Sequence, residues 1–154
     1  MSQDYAFVAE TMKQGVPWVG TTGIDFLEVE GDRVLVALPD GEQYRNHVGG
    51  PHAAVVFGAG ETASGAVVLA AFSQHMDKAT PLVARAEISY KKVATGPLRA
   101  EAVLGRPAAE VVAELASGTR PEFPVHVTVT NADGVTTTEM TVLWTLRPNR
   151  PAQP

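Results

Sequence analysis

The sequence predicts a single α+β domain in which an antiparallel sheet curls around one long, apolar helix. Three observations lead there. Ala53 to Phe72 is an unbroken stretch of apolar and small residues whose only charge is Glu61. The residues after it follow a two-residue period in place of a helical one. The periodic runs are joined mainly by short, turn-like segments, which suit antiparallel neighbours because parallel ones need a crossover between each pair.

The elements follow in order. Residues Gln3 to Lys13 predict a short leading helix, ended by Gly15 and Pro17. Strands are expected over Gly23–Glu30 and Arg33–Leu38, divided by the turn pair Gly31-Asp32. Pro39–Pro51 reads as a loop containing two consecutive glycines, Gly49 and Gly50. The apolar segment Ala53–Phe72 is nearly as long as a membrane span. It is built from Ala, Gly and Val around an ionisable group, however, and alternating strands follow it, so a helix buried by protein fits better.

In Val83–Lys92 the residues Ala84, Ala86, Ile88 and Tyr90 share one face, and Arg85, Glu87, Ser89 and Lys91 share the other. Leu98, Ala100, Ala102 and Leu104 repeat the alternation, and Ala108–Ser117 is a short helical or irregular connection. Val125, Val127 and Val129 alternate with polar residues, Asp133-Gly134 marks a hairpin, and Met140, Val142, Trp144 and Leu146 line the last strand. The domain is expected to span residues 1–147, with 148–154 a disordered tail. A helix apolar all round needs a curling sheet and a second covering surface, which pairing with another copy of the chain supplies.

Composition narrows the function classes. The chain has 154 residues, of which 45% are hydrophobic and 19% charged, a globular balance with enough length for one real core. Its net charge of −5 argues against wholesale nucleic-acid binding. There is no cysteine, which removes disulfides, thiolate zinc sites and a cysteine nucleophile together. The four histidines lack ligand spacing, so no metal site is expected. No Gly-x-Ser-x-Gly elbow is present, and no phosphate-binding glycine loop follows a strand. The start MSQDYAFVAE is acidic where a signal peptide needs a basic start and an apolar run. A cytoplasmic protein without a membrane partner is the expectation.

The loop and the helix that follows read NHVGGPHAAVVFGAGETASG from Asn46 to Gly65. This segment resembles the phenylacetate-pathway type of hotdog-fold thioesterase, whose pattern is Asn-x-x-Gly-x-x-His-Gly-Gly followed by an acidic residue within the helix. Asn46, Gly49 and His52 hold the first three places, and Glu61, nine residues after His52, holds the acidic one. The two glycines after the histidine are replaced by Ala53 and Ala54. Further on, Lys91 or Lys92 and Gly96 match a basic residue before a glycine turn in the same family. The strand order fits the resemblance over most of the chain, and the motif covers about twenty residues of it.

The resemblance implies a hotdog fold and hydrolysis of an acyl-CoA, with coenzyme A part of the substrate and no separate cofactor, in a homodimer or homotetramer. Backbone N–H groups at a helix start, with the positive end of the helix dipole, suit an oxyanion. Ala53 and Ala54 supply them here, Ala54 being the preferred donor. Glu61, a carboxylate among Ala, Gly and Val, becomes either the general base or a nucleophile that forms an anhydride. Asn46 orients the water or the carbonyl, or else is a turn residue. His52 touches substrate or fixes the loop. Ser64 holds the water or bonds back to the preceding helical turn. Lys91, Lys92, Arg99 and Arg106 meet the coenzyme A phosphates or remain solvated edge charges. Two alternatives stay open. A hydratase or dehydratase would use His47 and Glu61, and a non-catalytic acyl-CoA-binding module would be favoured by the two alanines.

Overall fold

The computed structural model describes residues 4–150. Helix α1 (Ala6–Gly15) and the short α2 (Pro17–Thr21) precede β1 (Asp25–Val29) and β2 (Arg33–Leu38). The long α3 (Ala53–Phe72) leads into β3 (Ala79–Tyr90) and β4 (Leu98–Leu104). Helix α4 (Ala108–Ala116), β5 (Glu122–Thr130) and β6 (Thr136–Pro148) complete the chain. The six strands form one sheet in the order β1-β2-β4-β5-β6-β3, antiparallel at every pairing.

This sheet wraps α3. Val34, Val36 and Leu38 of β2, Leu98, Ala100 and Ala102 of β4, and Val125, Val127 and Val129 of β5 are all buried. Against them lie the small residues of α3, among them Ala59, Gly60, Ala63, Ala66 and Val67. Smallness is what lets helix and sheet meet. A Cβ on Gly60 would stand 2.8 Å from the Met140 sulfur and 3.4 Å from a Val127 methyl. Phe72 closes the far end of the helix against Phe123, ring centres 5.0 Å apart. The helix is long and apolar enough to cross a membrane, but here most of it is covered by the fold itself.

Several boundaries differ from expectation, each for a local reason. The leading helix begins at Ala6 and runs to Gly15, and Pro17 does not end structure there but opens α2, at a first turn that needs no proline N–H. Gln3 lies outside the described residues. Strand β3 starts four residues early, at Ala79, and contains Pro81. An edge strand tolerates proline because its missing N–H owes nothing to a neighbour. Val83 pairs with Trp144 and Arg85 with Leu143, so Ala84 is a bulge residue and Val83, not Ala84, falls in line with Ala86, Ile88 and Tyr90. At the other end β6 reaches Pro148. Asn149 then donates from its backbone to Lys78 O and from its side chain to Asp77 O. Ordered chain therefore continues past residue 147, and residues 151–154 of the expected tail lie outside the described ones.

Candidate active site at the start of the central helix

The start of α3 is built by the loop before it. Asn46 N–H donates to Gly50 O at 2.8 Å and Gly49 N–H to Asn46 O at 3.1 Å. Gly49 has φ +79°, and Gly50 faces Ala94 O so closely that a Cβ there would collide with it. Both positions thus require glycine. Asn46 Oδ1 accepts the Val48 N–H at 3.0 Å, and its Nδ2 donates to Pro51 O at 3.5 Å. Asn46 is the organiser of the turn, with a second Nδ2–H left over.

His52 caps the helix. Its Nδ1 accepts the Ala54 N–H at 2.9 Å, and its carbonyl accepts the N–H groups of Val55 and Val56. Because Nδ1 is an acceptor, the ring carries its proton on Nε2 in this arrangement. The preferred oxyanion donor of the sequence analysis, Ala54, is therefore already committed. Ala53 is the donor left over: its N–H has no partner among the described residues. Its carbonyl accepts the Tyr90 hydroxyl at 2.9 Å.

Asn46, Ala53 and Tyr90 line one cavity of about 330 Å³, together with Val56, Thr138, Lys91 and Lys92. In the sequence Tyr90 is only one residue of an alternating strand. Its place as the last residue of β3, facing the helix, is what brings it to the cavity. Burial pushes its hydroxyl pKa up, which keeps it a donor. Lys91 Nζ pairs with Glu139 at 2.7 Å, whereas Lys92 forms no ion pair among the described residues.

Other candidates stand elsewhere. Arg99 lies on the outer face of the sheet, in a separate depression with Leu27, Ala37 and Thr130, so it does not join the two lysines. Arg106 is engaged by Glu110, Glu114 and the Glu122 carbonyl. Ser64 is fully buried. Its hydroxyl donates to Glu61 O at 2.7 Å and accepts from Trp144 Nε1 at 3.1 Å, so it bonds back to the helix and anchors the indole instead of holding a water. His47 is exposed and does not line the cavity.

Glu61 is half-buried, and burial pushes its carboxyl pKa upward. No hydrogen bond or ion pair to its carboxyl is found among the described residues. It does not share the Asn46 cavity. Val56, which does, is five residues away and thus about 140° around the helix. One chain therefore brings together Asn46, Ala53, Tyr90, Lys91 and Lys92, and keeps Glu61 on another face of α3.

The profile described as "Domain of unknown function (DUF4442)" matches residues 5–146. The chain belongs to this family. No curated protein matches the DUF4442 chain. Among solved structures, a Pseudomonas aeruginosa protein described as a probable thioesterase superposes with TM-score 0.82 at 22% identity, over 97% of this chain and 99% of its own. A thioesterase family protein from Silicibacter pomeroyi gives 0.76 at 17% identity, over 95% and 100%. The E. coli PaaI protein from the phenylacetic acid degradation operon gives 0.72 at 13% identity, over 94% and 96%. The DUF4442 chain thus shares the hotdog fold of these structures, as its helix-in-sheet pattern and its Asn46–Glu61 segment implied.

Proposed function

We propose that the protein hydrolyses acyl-CoA thioesters at a site completed by two copies of the chain. The observation that carries this is the unspent Ala53 N–H, at the positive end of α3 and in the wall of a cavity flanked by Lys91 and Lys92. The thioester oxygen rests on that N–H, and the two lysines face the coenzyme A phosphates. Glu61 of the second copy approaches the carbonyl carbon from the other side. The edge strand β3, unpaired on its outer side and ending in the exposed Tyr90, suits the pairing that brings it there.

Chemically, an ionised Glu61 takes a proton from water as the hydroxide oxygen bonds to the carbonyl carbon. The oxyanion forms against Ala53. It collapses by breaking the carbon–sulfur bond, and the departing thiolate takes up the proton to leave as the thiol. Direct attack by the carboxylate gives an anhydride that water then cleaves, with the same products. Both routes need the carboxylate and profit from its poor solvation.

A thiol-release assay over an acyl-CoA panel tests the proposal. The wild type should release thiol, and Glu61→Gln should lose most of that activity. Equal rates for the two would remove Glu61 from the chemistry. Binding of acyl-CoA without thiol release would leave a binding module instead.

A further inference from the structure

Two glycines of α3, Gly58 and Gly65, flank Glu61 at the spacings that place them on its own side of the helix. At Gly58 the space is already filled. A Cβ there would stand 2.8 Å from Trp18 Cζ2 and 3.0 Å from Cζ3, so the six-membered edge of the indole rests on bare helix backbone. At Gly65, the Met12 methyl and the Trp144 ring lie 3.5 and 3.6 Å from where a Cβ would stand. Trp144 is buried and held by Ser64, whereas Trp18 is 43% exposed and its Nε1 has no partner among the described residues. Glu61 therefore shares one side of the helix with a ring that is seated on the backbone three residues before it and open on its other side.

Building on the thioester-hydrolysis reading, we propose that Trp18 is a specificity-determining residue. Its indole, seated on Gly58, is a wall beside the reacting carbonyl that admits acyl groups unbranched at the adjoining carbon and turns away α-branched ones. A carbonyl carbon attacked by Glu61, or by a water it holds, must come within one or two hydrogen-bond lengths of the carboxyl. The lateral space there is occupied by a ring already in contact with backbone. Gly58 has no side chain to move aside, so an extra methyl on the α carbon must shift the indole or carry the carbonyl away from the acid. A methyl group in a filled pocket changes kcat/KM by about 10-fold or more.

The test compares a straight-chain and a 2-methyl-branched acyl-CoA of equal chain length. Wild type should favour the straight chain by about 10-fold or more in kcat/KM, and Trp18→Ala should bring that ratio to about 3 or below. Gly58→Ala, whose methyl displaces the same ring from the other element, should move the ratio in the same direction. Trp18→Leu replaces the alanine variant if circular dichroism finds it unfolded. An unchanged ratio in the Trp18 variant, with both rates preserved or both reduced together, overturns the wall. Should wild type hydrolyse neither substrate, the thioesterase reading fails. The wall is then judged on the ratio of dissociation constants for the two matching thioether analogues, measured calorimetrically. Equal affinities, or binding of neither, would refute it.

Discussion

At the scale of single residues, Glu61 and His52 make opposite demands on the fold. Burial raises the Glu61 pKa above its unfolded value, so the folded chain holds that proton more tightly than the unfolded chain does. Its favourable contribution is therefore present at low pH and is lost as pH rises from the usual carboxylate range through the folded pKa. Glu61→Gln should lose about 10²-fold or more in kcat. It should also melt higher than wild type at pH 8, with the gap closing as the pH is lowered towards 4. An unchanged gap across that range would show that the carboxyl is solvated when folded. His52 contributes a cap. His52→Ala should cost about 1 kcal/mol of stability, and His52→Asn, which keeps an acceptor at the cap, should recover most of it in denaturant titration. If His52→Asn is stable but inactive, the imidazole does more than hold Ala54.

At the scale of elements, what could be read in advance depended on whether a signal was local. The bounds of α3 and β2 were legible because one is an uninterrupted apolar run and the other a short apolar run held between the turn pair Gly31-Asp32 and Pro39. The early part of β3 was not, because Pro81 and the bulge at Ala84 break the period that identifies a strand. The Asn46 loop showed as turn material from its own residues. That His52 would spend the Ala54 N–H was hidden, since it depends on a side-chain rotamer. The seating of Trp18 on Gly58 joins positions forty residues apart, and a glycine in a helix looks the same whatever covers it. The lysines also divide by element. Lys92, at the cavity, should raise KM for acyl-CoA about 10-fold when changed to Ala, with the effect shrinking in high salt. Arg99→Ala, on the outer face, should leave KM within about 2-fold.

For the whole molecule, the separation of Glu61 from the Asn46 cavity has a direct consequence in mixtures. On the proposed site shared between two copies, Asn46→Ala and Glu61→Gln each spoil both sites of a two-fold dimer. A mixed dimer, however, keeps one site with both groups intact. After unfolding and refolding together in equal amounts, half the dimers should be mixed and about a quarter of wild-type activity should return. No recovery, with mixed dimers demonstrated by mass spectrometry, would place both residues in one chain's site.

The outer edge of β3 has a further consequence. Pro81 offers no N–H, and the bulge at Ala84 bends the strand, so the first half of that edge is unfit as a template. Only Arg85–Tyr90 presents a regular comb of backbone groups, six residues long. An incoming strand has little room to slide along so short a comb, and each one-residue slip would turn its side chains to the wrong face. The proline and the bulge thus act as a ruler, fixing where a neighbour can begin to zip and discouraging the open-ended stacking that a longer, flatter margin invites.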